Sequence, residues 1–310
     1  MPLHPVGHAG AGLTMLQAAN LTSVAQWTGS EMMIFGGYTL KSNGSQGSYN
    51  SDIHAFNPSS NTWRTIASPL SGRISHSVLW VNNKLIVWGG KWQEVLATSD
   101  VNETTLTDGG MYDPNSGWTV MDPDDPNMPA NNSQFFFPVA AEDIMYLFCS
   151  YGRIGGIFNP ASGPKGKWEK MNMTDAPYNI DYAHYIGDQK ILVLSHVSKH
   201  INLYEYNIAL NTWEKLSPTG PAPKPFLLEH VTYSNGKLFA WDTSTIGGFY
   251  SPQTNQWTLT KSSSHVERAG ATTIGTNDGA MIFGGGFREY AVEPFRPDQF
   301  YRGVTTFKVP

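Results

Sequence analysis

The sequence predicts an all-β chain made of six repeats, each a four-stranded antiparallel sheet. Two observations lead there. Trp63, Trp118, Trp168, Trp213 and Trp257 recur at intervals of 55, 50, 45 and 44 residues, a period that marks a repeat architecture. Each tryptophan follows a turn and each turn follows an aromatic strand, while helical periodicity is convincing nowhere.

The repeat can be justified strand by strand. A first strand, a, reads as in Ile74–Trp80 and Glu229–Tyr233. A second, b, is a short apolar run: 32–37, 84–90, 144–148, 190–194, 237–240 and 280–285. Runs this short, rich in β-branched and aromatic residues and bounded by glycine, read as buried strands. Strand c carries an aromatic, in 52–56, 110–112, 156–158, 203–206 and 248–250. Its turn to strand d uses Asn57-Pro58, Asp113-Pro114, Asn159-Pro160, Asn207 through Asn211, and Ser251-Pro252. Asn and Asp bond back to the local backbone, Pro presets φ, and Gly or Asn tolerates a left-handed residue. Strand d then opens on the tryptophan. Six such sheets arranged radially make a six-bladed β-propeller, with blades at about 19–67, 73–122, 133–172, 179–217, 226–261 and 268–310.

Composition bounds the function. The 310 residues are 40% hydrophobic and 13% aromatic with only 15% charged, which excludes a disordered chain, and 31 Gly with 20 Pro exclude long helices. A net charge of −5 leaves no basic face for a phosphate backbone. The single cysteine, Cys149, rules out an internal disulfide and a cysteine-based zinc site. No run of 18 apolar residues offers a membrane span. Residues 1–7 show neither the basic start nor the apolar core of a secretory leader. Low charge and abundant Asn, Ser, Thr and Gly lean toward a secreted or cell-surface setting, although the Asn-x-Ser/Thr triplets at Asn20, Asn43, Asn102, Asn131 and Asn172 barely exceed chance.

These residues resemble the kelch repeat, which pairs a diglycine after strand b with a tyrosine on strand c and a tryptophan on strand d. Gly36-Gly37, Gly89-Gly90 and Gly284-Gly285 match the diglycine, and Phe56, Tyr112, Phe158, Tyr206 and Tyr250 match the aromatic. Blades three to five depart from the pattern with Cys149-Ser150, Leu194-Ser195 and Ala240-Trp241. The resemblance covers nearly the whole chain and implies a six-bladed propeller that binds partners. Some kelch propellers, the galactose oxidases, carry copper at a Tyr–Cys crosslink. Only Cys149 is available for one here, and it reads as a small buried hydrophobe.

A ring of sheets is weakest where first and last blades meet. Leu13–Leu16 copies the Trp-x-x-apolar pattern of strand d with Leu13 in the tryptophan's place, and Val304–Phe307 copies strand c. Residues 12–17 are therefore expected to complete the blade formed by 268–310.

The b–c and d–a connections emerge on one face. Three b–c loops are long (38–51, 91–108 and 286–303), three are short (about 150–154, 195–200 and 241–246), and 122–134 adds a long d–a connection. Structureless loops of that length are usually functional or disordered, so this rim is the expected recognition face. Its candidate contacts are Tyr38, Trp92, Phe287, Tyr290, Phe295 and Tyr301 for stacking, with Arg288, Arg296 and Arg302 for a carboxylate. Along the inner strands Arg73 and Arg268 share one position, and His76, Tyr182 and Glu229 another. Arg73, His76, Glu229 and Arg268 would serve an acid/base mechanism, or would satisfy backbone groups around a water-filled channel. His196 and His200 are too poorly placed for a metal, because four-residue spacing off a helix does not share a face. The expected function is a non-catalytic propeller, a monomer without cofactor or metal, presenting its long loops to a protein or glycan. The alternative is an enzyme acting on a small or carbohydrate substrate at the channel mouth.

Overall fold

A computed structural model describes residues 23–40, 46–95, 101–130, 135–197, 200–223, 228–242, 247–260, 272–275, 280–284 and 304–308. Among them every regular element is a strand, as the absence of helical periodicity requires. The chain divides into two compact units, residues 1–171 and 172–310.

The first unit holds three four-stranded antiparallel sheets. Sheet one comprises β1 (Val24–Trp27) and β2 (Met32–Phe35), then, after the hairpin β3 (Tyr38–Leu40) and β4 (Gln46–Tyr49), β5 (Ile53–Asn57) and β6 (Thr62–Ile66). Sheet two repeats the plan with β7 (Ser77–Val81), β8 (Lys84–Trp88), the hairpin β9 (Lys91–Val95) and β10 (Val101–Thr105), β11 (Gly109–Asp113) and β12 (Gly117–Val120). Sheet three is β13 (Phe136–Ala141), β14 (Ile144–Cys149), β15 (Gly155–Asn159) and β16 (Lys167–Lys170). The long b–c connections of the first two sheets are thus not structureless loops: each folds back on itself as a two-stranded ribbon.

The second unit has sheet four, β17 (Tyr182–Gly187), β18 (Lys190–Val197), β19 (His200–Asn207) and β20 (Thr212–Lys215). Sheet five is β21 (Leu228–Ser234), β22 (Lys237–Asp242), β23 (Gly247–Ser251) and β24 (Gln256–Leu259), and β25 (Thr272–Gly275), β26 (Ala280–Gly284) and β27 (Val304–Lys308) form a three-stranded sheet. The expected loop at 195–200 is a correction: β18 and β19 pair through Val197 and His200, so sheet four carries its own projecting hairpin. The 12–17 segment expected beside β27 lies outside the described residues.

Turn chemistry sets each register. The a–b turns at Asn82-Asn83, Glu142-Asp143, Asp188-Gln189 and Asn235-Gly236 hold positive φ at both central residues, the twist that suits a two-residue hairpin. At the c–d turns the carboxamide or carboxylate Oδ1 of Asn57, Asp113, Asn159 and Asn207 accepts a backbone N–H two or three residues on. A left-handed residue then precedes the tryptophan: Asn61, Gly117, Gly166, Asn211 or Asn255.

These turns place each tryptophan directly opposite its strand-c aromatic, as Phe56–Trp63, Tyr112–Trp118, Phe158–Trp168, Tyr206–Trp213 and Tyr250–Trp257. Ring centroids lie 4.9–5.6 Å apart in all five, within the range where such pairs add about 0.5–1.5 kcal/mol beyond burial. In sheets four and five the tyrosine hydroxyl also donates to the left-handed asparagine, Tyr206 to Asn211 at 2.8 Å and Tyr250 to Asn255 at 2.9 Å. Between sheets, Trp118 leans on Phe35 of sheet one and Trp168 on Trp88 of sheet two. Cores therefore lie between successive sheets, one and two, two and three, and four and five. The a strands are the inner ones: β7 lies beside β1 and β13, and β21 beside β25.

The outer edges are covered by the d–a connections. Asp125 Oδ2 accepts from Trp168 N at 2.9 Å and Asn127 Nδ2 donates to Trp168 O at 3.3 Å, side chains doing the work of a fifth strand. In sheet five Thr219 does it with main chain, accepting from Trp257 N at 2.8 Å and donating to Asn255 O at 3.0 Å.

Candidate functional site

The b–c connections leave the first two sheets at diglycine corners, Gly36-Gly37 and Gly89-Gly90, all four with φ between 68° and 91°. The segment Arg73–His76 is wedged against both. Gly37 N donates to Arg73 O at 2.8 Å, and Ile74 and Lys91 exchange both backbone hydrogen bonds at 2.9 Å. A Cβ on Gly36 would strike the His76 ring and stand 2.8 Å from Arg73 O, so only glycine fits.

The Arg73 side chain is fully buried. Its Nε donates to Ser71 O at 2.9 Å, its Nη1 to Gly89 O at 3.0 Å and to Asp108 Oδ1 at 2.9 Å, and its Nη2 to Asp108 Oδ2 at 2.9 Å and Ser71 Oγ at 3.3 Å. A buried cation needs this degree of compensation. Gly89 N to Asp108 O, Leu106 N to Gly90 O and Asn50 N to Gly37 O close the hairpin bases. Arg73 and His76 thus clamp the feet of both projecting ribbons.

His76 is buried, with Nε2 at 3.2 Å from Phe35 O and its ring edge-on to Phe35. Burial first, and the Arg73 charge second, pull its pKa down to about 3. The ring is neutral near pH 7 and Nε2 is the donor. Nδ1 is left as a buried acceptor with no hydrogen-bond partner among the described residues.

The equivalent place in the second unit is built differently. Asp181 Oδ2 accepts from His196 N at 2.6 Å, and Tyr182, His184 and Tyr233 form a stack with His184 4.6 Å from Tyr233. Burial raises the Asp181 pKa and lowers that of His184. Glu229 sits on β21, with its side chain outside the described residues, and Arg268 lies outside them altogether. Of the acid/base candidates the structure brings together Arg73 and His76, each engaged with backbone groups and Arg73 with Asp108 as well.

On the rim, Tyr38 is half-buried with its ring 6.0 Å from Tyr49 across the β3–β4 ribbon, and half-buried Trp92 faces Thr104 across β9–β10. Arg288, Tyr290, Arg296 and Tyr301, with Phe287, Phe295 and Arg302, lie outside the described residues. Register puts His196 opposite Ile201 and Val197 opposite His200, so the two histidines face opposite ways. Among the described residues no group of three His, Cys, Asp or Glu is placed to hold a metal. Cys149 is buried, its Sγ donating to Tyr151 O at 3.1 Å, and burial pushes the thiol pKa up.

Sequence reasoning misses several rim residues. Phe135 is 62% exposed and Tyr151 50%, at one end of sheet three, while Tyr178 and Val197 are exposed in the second unit. A signal exists: where sheets one and two have diglycine, sheet three has Cys149-Ser150 followed at once by an aromatic. Asp108 has a fainter one, as the residue immediately before strand c, where sheet one also has an aspartate, Asp52.

Two clefts open elsewhere. One of about 550 Å³ in the first unit is lined by Asp122, Asp124, Asp125, Ser162, Lys165 and Lys167. The other, about 390 Å³ in the second unit, is lined by Asp188, Lys190, Glu205, Tyr233 and Gln253. Lys190 is spent on Glu205 at 2.8 Å.

The model of the KLHDC2/KLHL20/DRC7 Kelch-repeats domain matches residues 20–248. The chain belongs to the kelch-repeat family. No curated protein matches it. As a kelch-repeat β-propeller chain it belongs with repeats that generally mediate protein–protein interaction. The cross-strand aromatic–tryptophan pairs and the diglycine corners are the physical content of that membership.

Proposed function

We propose that this kelch chain is a non-catalytic module that binds a protein partner through its rim. It is a single six-bladed propeller over residues 1–310, closed by residues 12–17 as strand d of the last sheet. The observation that carries the reading is the anchoring of the β3–β4 and β9–β10 ribbons by Arg73 and His76. Fixing a projecting ribbon at both feet lowers the ordering cost of docking against it. The same hydrogen bonds occupy the donors that an enzyme would turn toward substrate. Tyr38 and Trp92 on the ribbons are the contacts, joined by Arg288, Tyr290, Arg296 and Tyr301 from the last blade.

The test is selection of random decamer peptides on the full chain, beside a panel of neutral and acidic glycans. Peptides whose affinity falls at least tenfold on Trp92→Ala, with the melting temperature unchanged, support the reading. Glycans that bind while no peptide does would replace it with a lectin-like role. Removal of residues 1–17 tests closure, with a clear drop in melting temperature expected and an unchanged one overturning it.

A further inference from the structure

We propose that the outer margin of sheet two, strand β12, takes up an extended, uncharged segment of a protein partner as a fifth, parallel strand. This is a second surface, separate from the rim. The linkers into sheets three, four and five each bond to the outer strand or its turn. Asp125 and Asn127 hold Trp168, Asn172 N donates to Asn211 Oδ1 at 2.8 Å, and Thr219 pairs with Asn255 and Trp257. The linker into sheet two, residues 67–76, is bound elsewhere. Ser68 N donates to Asp52 Oδ1 at 3.4 Å, Leu70 is buried between sheets one and two, and Arg73 and Ile74 hold the ribbon feet. Among the described residues no hydrogen bond joins this linker to Gly117–Val120.

Register fixes what that margin offers. Trp118 stands opposite Tyr112 as Trp168 stands opposite Phe158 and Trp257 opposite Tyr250. The amides of Trp168 and Trp257 point outward to their linkers, while Met121 N turns inward to Gly109 O. Antiparallel strands alternate their groups in this way, so Trp118 and Val120 turn both N–H and C=O to the outside. Main-chain groups presented along an open edge are what recognition by strand addition requires.

Proteins commonly guard such edges with charge. β16 carries Lys167, Glu169 and Lys170 and β20 carries Glu214 and Lys215, all exposed, whereas β12 reads Gly-Trp-Thr-Val with Val120 43% exposed. β24 is uncharged as well, and there Thr219 takes the margin through a parallel bridge to Gln256. That filler comes from Leu216–Pro223, a segment with no charged residue. The same chemistry in a partner, extended and uncharged, fits β12. A second copy is the poorer occupant, because one four-residue strand buries too little surface for a stable dimer and each copy carries a net charge of −5.

Amide exchange on the full chain is the first measurement. The Trp118 amide should exchange at least tenfold faster than those of Trp168 and Trp257, and equal protection overturns the proposal. Phage-displayed decamers are then selected on the full chain. Those that slow exchange at Trp118 and Val120 are expected to carry an uncharged core of Thr, Val or Ile. Their affinity should fall at least tenfold on Val120→Pro, which removes an outward N–H and spares the ladder to β11. It should fall as far on Val120→Lys, with the melting temperature unchanged, and Trp92→Ala should leave it intact. Peptides that bind this margin through charged cores overturn the proposal. If no selected peptide depends on Val120, this inference fails, and peptides lost on Trp92→Ala then leave the rim reading standing. A concentration-dependent dimer abolished by Val120→Lys, with no peptide at the margin, makes the occupant a second copy and overturns the proposal too.

Discussion

The inner ends of the a strands are solved in two ways. In the first unit Arg73 and His76 fill the space against two diglycine corners with a buried cation, its carboxylate and a neutral imidazole. In the second, where Leu194-Ser195 and Ala240-Trp241 replace diglycine, Tyr182 and His184 of β17 stack with Tyr233 of β21, and Asp181 reaches across to the main chain of His196. Where the glycine corner is missing, stacked rings, the His184 imidazole among them, stand in place of a buried cation and its carboxylate. The first unit should therefore be the more sensitive to charge.

The largest effect should come from Asp108→Ala. It leaves the Arg73 guanidinium buried with no carboxylate, which costs about 3–5 kcal/mol. Arg73→Met should cost less, because Asp108 is 41% exposed and returns to water. Equilibrium urea unfolding of the two variants checks the order, and the reverse order would break the comparison.

Acid is the next lever. His76 has a native pKa of about 3 against 6.5 unfolded, so its contribution is full above pH 6.5 and lost as pH falls toward 3. The loss is on the order of 4 kcal/mol. In the second unit lowered His184 acts in the same direction, whereas raised Asp181 contributes stability that is lost as pH rises. Amide exchange at pH 7 and pH 5 should show protection falling more at β7 than at β17, and an equal fall would remove the distinction.

Smaller effects sharpen the picture. Tyr206→Phe and Tyr250→Phe remove a hydroxyl from a left-handed asparagine and should each cost about 1 kcal/mol by thermal melting. In sheets one and three the partner is already phenylalanine, so the repeat tolerates the loss.

The strands and turns are legible in the sequence because both determinants are local. A tryptophan two residues beyond a left-handed Asn can only face the aromatic across the turn. The ribbons are not legible. Gln46–Tyr49 and Val101–Thr105 show no apolar run, and their pairing depends on anchors placed by Arg73 and Ile74. The partnership of Arg73 with Asp108 spans 35 residues, beyond any local pattern. The long loops are the expected recognition face, but an exposed ring, Tyr151, also stands on the short turn at 150–154, where length alone gives no hint.

Because Asp125, Asn127 and Thr219 each seal the margin of the sheet that follows them, the interchangeable module is offset from the visible one. A blade cut out from strand a to strand d would leave its seal behind and arrive with a bare flank. Shuffling or duplication of these repeats should succeed only when the preceding linker travels with the blade.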